Sequence, residues 1–197
     1  MNLRKQNKMS SMFDLTGRVS LVSGAASGMG KAVALAVAEA GSDIVLADIN
    51  EAGAQATAQE IEALGRKALP VACDISSPEA IRAMFTQIDE TFGRIDFVAN
   101  IAGEAVRKKP EVIELDEVEW TWRNIVYGRF CICQEAGKRM LEQGRGSIIN
   151  LGSLASITAL GRGHIAYSMA MGAVVQMTRE LSTEWSGRGV RVNSVLP

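Results

Sequence analysis

Ser23-Gly-Ala-Ala-Ser-Gly-Met-Gly30 is the stretch on which the fold turns. It stands between a short apolar run, 18–23, and a longer stretch of helical spacing, 28–40. Its three glycines let the backbone turn tightly and approach a ligand with no Cβ in the way. A helix opening there aims free N–H groups and its positive dipole end back at the same loop, a ready anion site. Glycine-rich turns are common, but one lying directly between a first strand and a first helix is more specific.

Outward from this loop, β-rich runs alternate with helical ones. Strands are expected over 18–23, 43–48, 67–73, 95–100, 146–151 and 190–195, and helices over 28–40, 51–64, 78–92, 116–143 and 166–185. Ser20-Leu-Val-Ser and Ile44-Val-Leu-Ala are apolar almost without interruption, as strands covered on both faces are. Strict alternation of this kind predicts an α/β fold, a Rossmann-type doubly wound parallel sheet in a three-layer αβα sandwich. The 197 residues suit one domain, 13–197, behind a loose polar arm over 1–12.

Composition narrows the partners. The net charge is −1 and no Lys/Arg block lines a helix, which argues against nucleic acid. No apolar stretch approaches the ~20 residues that span a bilayer. Arg4, Lys5 and Lys8 have no apolar core behind them, unlike a signal peptide. Cys131 and Cys133, two apart on a helix, point about 200° away from each other and do not share a metal readily. With Cys73 they read as buried thiols of a reducing, cytoplasmic setting. His164 is the only histidine, so no metal site built on several histidines is expected.

Asp48 closes the second strand, 18 residues past Gly30. A carboxylate there accepts hydrogen bonds from ribose hydroxyls and repels a 2′-phosphate, and Ile49 and Asn50 bring no cation to offset it. NAD is therefore favoured over NADP. A plainer role, capping the next helix, is compatible.

Together these residues resemble the short-chain dehydrogenase/reductase family from about Phe13 to Pro197. Gly24, Gly28 and Gly30 match its glycine motif. Cys73-Asp74-Ile75 resembles its adenine-contacting segment, and Asn100-Ile-Ala-Gly103 its Asn-Asn-Ala-Gly signature with Ile101 in place of the second Asn. Ile148-Ile-Asn-Leu-Gly-Ser153 resembles the strand that delivers a serine, Tyr167 follows 14 residues later, and Val190–Pro197 resembles the sixth strand and the loop after it. The resemblance implies NAD held by Gly24, Ser27, Gly28, Met29, Gly30, Asp48, Ile49, Asp74, Ile75, Asn100, Ala102, Gly103, Tyr167 and Pro197. It implies hydride transfer to or from a small-molecule secondary alcohol or ketone, with polyols and sugar acids among the candidates. Tyr167 would be the acid/base and Ser153 would orient the substrate oxygen. Outside that frame, a serine after a strand is often a helix cap and a helix tyrosine often packs.

Three departures stand out. The family carries a lysine four residues after the tyrosine, and this chain has Met171. An ordinary phenol ionises near pH 10, and losing the cation implies a rate loss of about 10²–10⁴-fold; Arg162 and Lys138 are the nearest substitutes by sequence. Counting back from Gly128 and Phe130 puts Ile125 where the family's relay asparagine stands, with Asn124 one residue off. A helical bulge would restore Asn124, and otherwise it is an ordinary solvated position. The chain stops at Pro197, where family members continue with a substrate loop, a helix and an edge strand, which implies an open substrate side. Two functions therefore stay open: an NAD-dependent oxidoreductase slowed by Met171, or an NAD-binding pseudoenzyme or regulatory subunit. The resemblance also implies a homodimer or homotetramer pairing through 116–143 and 166–185, where Trp122, Val126, Val174, Val175 and Met177 serve either that seam or the core.

Overall fold

A computed structural model of the protein describes residues 13–197, and the arm expected over 1–12 lies outside the described residues. Six strands, β1 (Val19–Ser23), β2 (Asp43–Asp48), β3 (Ala68–Ala72), β4 (Phe97–Asn100), β5 (Gly146–Leu151) and β6 (Val190–Val195), form one parallel sheet in the order β3-β2-β1-β4-β5-β6. Parallel neighbours need crossovers. The helices supply them: α1 (Gly28–Glu39), α2 (Glu51–Ala63), α3 (Pro78–Phe92), α4 (Leu115–Trp122), α5 (Gly128–Glu142) and α6 (Ile165–Trp185). The result is the expected Rossmann-type three-layer sandwich. The single helix predicted over 116–143 is instead α4 and α5 joined by a π turn, Arg123–Tyr127.

Local chemistry sets the boundaries. The Ser77 hydroxyl accepts from the Ala80 N–H at 3.2 Å, Pro78 occupies the first turn of α3, and Gly93 closes that helix in the left-handed region. Asn50, not Asp48, caps α2 by accepting from the Gly53 N–H at 3.1 Å. The capping role weighed for Asp48 thus falls to a neighbour.

Each face of the sheet has its own core. Ala34, Ala38, Ala54, Ala58 and Ile61 from α1 and α2 pack on Val22, Ile44 and Leu46. On the other face Ile81, Met84, Phe85 and Ile88 of α3 join Ile132, Ala136 and Met140 of α5 over Leu21, Val45, Val98 and Ile148. β1 and the centre of β2 are buried throughout, whereas β5 and the first half of β6 bury alternate residues only. Of the residues that serve either a dimer seam or the core, Val174 and Val175 are buried, and Trp122, Val126 and Met177 are partly buried against the core. All three cysteines are buried and free. No helix among the described residues is long and apolar enough to cross a membrane.

Opposite the strand ends that carry the glycine loop, Asp96 ties the sheet together just ahead of β4. It accepts from Arg94 at 2.6 and 2.8 Å and from the Val19 N–H at 3.0 Å, and pairs with Arg18 at 3.3 Å. Burial alone would raise this carboxyl. The hydrogen bonds from Arg94 and Val19, with the charges of Arg94 and Arg18, outweigh burial and hold it below the usual carboxylate range. A carboxyl depressed in the folded state stabilises the fold above the ordinary value near 4, and that contribution is lost as pH falls through the lower folded value. Asp96→Asn is therefore expected to cost on the order of 2 kcal/mol at neutral pH. Urea unfolding should show the gap to wild type narrowing below about pH 4.

Candidate active site

The strand order reverses direction between β1 and β4, so the crossovers on either side part and leave a crevice at the C-terminal ends of the strands. The Ser23 hydroxyl stitches that crevice by accepting from the N–H groups of Ile101, at 3.0 Å, and Ala102, at 3.1 Å. Gly24 turns at φ +74°, and a Cβ on Gly30 would overlap the Gly24 carbonyl, so the loop and α1 meet where only hydrogen fits. Ser27 stands at the N-cap of α1 in extended conformation, yet its side chain makes no capping hydrogen bond. The first turn of α1 holds no acidic side chain either. Its first N–H groups are left for something outside the helix to satisfy.

They face a cavity of about 620 Å³. Gly24, Ser27, Gly28, Met29, Gly30, Asp48, Ile49, Asp74, Ile75, Ala102 and Gly103 all line it, so the fold gathers eleven of the expected residues on one wall. No Lys, Arg or His is among the lining residues, while Asp48, Asp74 and Glu104 are. Asp48 accepts from the N–H groups of Ala26 and Asn50, both at 2.9 Å, and so pins the glycine loop to the end of β2. Asn100, expected at the dinucleotide, lies beneath this cavity. It is fully buried, and its amide donates to Asn150 Oδ1 at 2.9 Å and to Cys133 Sγ at 3.3 Å. Tyr167 and Pro197 are outside the cavity as well.

Ser153 and Tyr167 sit beyond the end of β5. The Ser153 hydroxyl accepts from the Ala155 N–H at 3.2 Å and caps the 3-10 turn Leu154–Ser156, the plain structural role weighed for it. Pro197 braces the same turn, its carbonyl accepting from the Leu154 N–H at 3.2 Å. Tyr167 is half-buried among Ile125, Ala170, Met171 and Val174, edge-on to His164 with ring centroids 6.1 Å apart. Its hydroxyl has no hydrogen-bond partner among the described residues. A second cavity, of about 1030 Å³, lies between segments 107–111 and 155–165, and neither Ser153 nor Tyr167 lines it. Arg107, Lys108, Lys109, Arg162 and His164 line it against Glu111 as the only acid, and Lys108 is already paired with Glu117 at 2.5 Å.

A π turn does interrupt this helix at Arg123–Tyr127, yet it is Ile125 that packs in the core with Tyr167 and Met171, while Asn124 lines the 620 Å³ cavity, away from Tyr167, and donates to the Trp120 carbonyl at 3.0 Å. Neither cation guessed for the place of the missing lysine is there: Lys138 pairs with Glu135 at 2.7 Å on α5, and Arg162 lines the larger cavity. The cation that does reach Met171 is Arg129, which the sequence reading passed over. Its Nη1 lies 4.0 Å from the Met171 sulfur, and only 1% of the residue is exposed. A signal existed, because Arg129, Ile132, Cys133, Ala136 and Met140 recur at the spacing of one buried helical stripe.

A family model described as Enoyl-(Acyl carrier protein) reductase matches residues 24–197. The chain is 40% identical over 185 residues to a D-threitol dehydrogenase of Mycolicibacterium smegmatis, covering 94% of this chain and 71% of that one. It is 37% identical over 187 residues to an NAD-dependent glycerol dehydrogenase of Listeria innocua, with the same coverage. Among solved structures, a short-chain type dehydrogenase/reductase from Mycobacterium marinum superposes with a TM-score of 0.91 at 35% identity, over 95% of this chain and 76% of that chain. A 7α-hydroxysteroid dehydrogenase complexed with NADH and a 7-oxo bile acid gives 0.89 at 26% identity, over 94% and 72%.

The contact between Gly30 and the Gly24 carbonyl supplies a direct check on the loop. Gly30→Ala should force the two apart and cost roughly 2 kcal/mol. In a chain of this size that lowers the melting temperature by about 4–8 °C, read by calorimetry.

Proposed function

This chain belongs to the short-chain dehydrogenase/reductase family, and from that premise we propose an NAD-dependent oxidoreductase acting on a secondary alcohol or ketone of the polyol or sugar-acid class. The observation that carries the cofactor choice is the open N-terminus of α1 facing Asp48 across a cleft whose lining holds no cation. A dinucleotide fits these residues. The backbone N–H groups of the glycine loop suit a pyrophosphate, and the Asp48 carboxylate suits ribose hydroxyls and disfavours a 2′-phosphate. Ile49, 76% exposed at the rim, and Ile75 offer apolar sides to an adenine. The bound nicotinamide supplies the hydride chemistry.

The chain's own part is proton handling and orientation. Tyr167 holds the transferable proton at its free hydroxyl, and Ser153 keeps its O–H available as a donor while its oxygen caps the following turn. Asn124 enters this reading as the polar residue presented by the widened helix. The relatives named for threitol and glycerol support a polyol-type alcohol. The basic wall of the larger cavity favours the sugar acid within that class. A cytoplasmic homodimer or homotetramer belongs to the same proposal. Tyr127 and Phe130, about half exposed around the start of α5, support association, and light scattering tests it. Met171 favours a second reading, in which NAD binds without turnover.

Calorimetry with NAD, followed in the same sample by NADH absorbance against polyols and aldonates, separates the readings. Binding with turnover supports the oxidoreductase, binding without turnover supports the second reading, and absence of binding overturns both. Asp48→Asn should weaken NAD binding about tenfold to a hundredfold, the worth of one or two charge-assisted hydrogen bonds. The same change should narrow the preference over NADP.

A further inference from the structure

The two cavities at the C-terminal edge of the sheet carry opposite charge. Asp48, Asp74 and Glu104 line the one beside the glycine loop with no cation, whereas Arg107, Lys109 and Arg162 line the larger one against a single carboxylate, Glu111. None of those three cations has an ion-pair partner among the described residues, while Lys108 is already held by Glu117 at 2.5 Å. The chain as a whole has a net charge of −1, so this wall is not a sample of a generally basic surface. A concave wall of one sign concentrates small molecules of the other. No acidic side chain offsets it from the first turn of α6, which reaches the same cavity with Ile165 and Ser168.

The backbone shows which of the three is placed against its own preference. Arg162 is at φ +57°, the one non-glycine residue in the left-handed region among the described residues, and it stands between Gly161 at +66° and Gly163 at +76°. Glycine takes that conformation freely, whereas a side chain there is strained. Such strain collects at binding sites, where the surrounding structure holds it in place. Here the holding contacts all fall on one neighbour or close the turn itself. His164 forms a parallel bridge with Lys108, a Cβ on Gly163 would come within 2.9 Å of the Lys108 carbonyl carbon, and His164 Nδ1 donates to the Gly161 carbonyl at 2.7 Å. The turn is docked on the residue between Arg107 and Lys109, which sets Arg162 on the same wall as both. We propose that Arg162, with Arg107 and Lys109, forms an anion-reading site that takes the carboxylate or phosphate group of the substrate and so selects an anionic alcohol over a neutral polyol. Residues next to both proposed catalytic hydroxyls line the cavity, Ala155 and Ser156 after Ser153 and Ile165 and Ser168 around Tyr167, and His164 stands edge-on to the Tyr167 ring. The anion binds whether or not hydride transfer follows; its role as substrate rests on the oxidoreductase reading.

Gluconate and glucitol share a carbon chain and differ at one end, a carboxylate against a hydroxymethyl group. Glycerol 3-phosphate and glycerol make the matching phosphate pair. Ligand-observed NMR titrations on the protein without nucleotide should find the anion of at least one pair bound about tenfold tighter than its neutral partner, the worth of one charge-assisted hydrogen bond. Which pair shows the gap separates a carboxylate from a phosphate site. Salt at about 0.5 M should close most of the gap, because Arg107, Lys109 and Arg162 are exposed. Arg162→Gly should remove the gap without lowering the melting temperature, since glycine suits the turn. Arg188→Gln removes the same charge outside the cavity and should leave the gap as it was. Equal binding of anion and neutral partner in both pairs, a gap indifferent to Arg162, or an equal loss in Arg188→Gln overturns the proposal.

If Arg162→Gly does not fold, the double variant Arg107→Gln, Lys109→Gln decides by the same titrations, since both side chains are exposed and the turn is left intact. These readouts need no turnover, so the two readings fail separately. An anion held at Arg162 with no NAD-linked oxidation of any alcohol sinks the oxidoreductase reading and leaves the site. Turnover of gluconate and glucitol, and of glycerol 3-phosphate and glycerol, at equal kcat/KM within each pair keeps the oxidoreductase and overturns the selection. In an active enzyme the anionic alcohol should have a kcat/KM about tenfold higher than its neutral partner, and Arg162→Gly should erase that advantage by raising KM rather than by lowering kcat.

Discussion

Every strand in this sheet runs the same way, and that constraint places everything else. Parallel pairing gathers the C-terminal ends of all six strands on one edge, and it forces each connection to cross the face of the sheet. Because β1 sits between β2 and β4, consecutive crossovers leave in opposite directions and a crevice opens beside the first loop. The loop after β1, the carboxylate closing β2, the segment after β3 and the loop after β4 then meet without any long-range design beyond strand order. The glycines matter because that meeting is tight. Gly24 abuts Ala102, and Gly30 abuts the Gly24 carbonyl.

This explains how much could be read from the chain alone. Strand and helix positions follow from uninterrupted apolar runs and cap residues, both local signals, and they fall within a residue or two of the observed bounds in nearly every case. The cavity-lining glycines and Asp48 follow from the same local logic. What escaped is what depends on neighbours distant in sequence. Asn100 resembles a ligand contact in its motif, yet its amide is committed to Asn150 and Cys133, partners 50 and 33 residues away. The π turn was only a possibility while Asn124 stood one residue out of register. It became a fact where Gly128 packs against the Ile75 carbonyl, a contact that a Cβ would forbid. Ser153 is a cap in the structure, accepting from Ala155, and a hydroxyl that accepts there still has its proton to donate.

Arg129 was hidden by a different rule. Arginine is almost never fully buried, so a pattern reader assigns it to the solvent face. Here it lies under the loop after β4 because the Ile101 and Ala102 carbonyls of that loop and the Leu151 carbonyl at the end of β5 accept its donors. The architecture creates a niche of negative partial charge at its own active edge, and a guanidinium with a fixed fork of donors fills it better than a flexible ammonium would. Burial draws the guanidinium down to about 10, still charged at neutral pH.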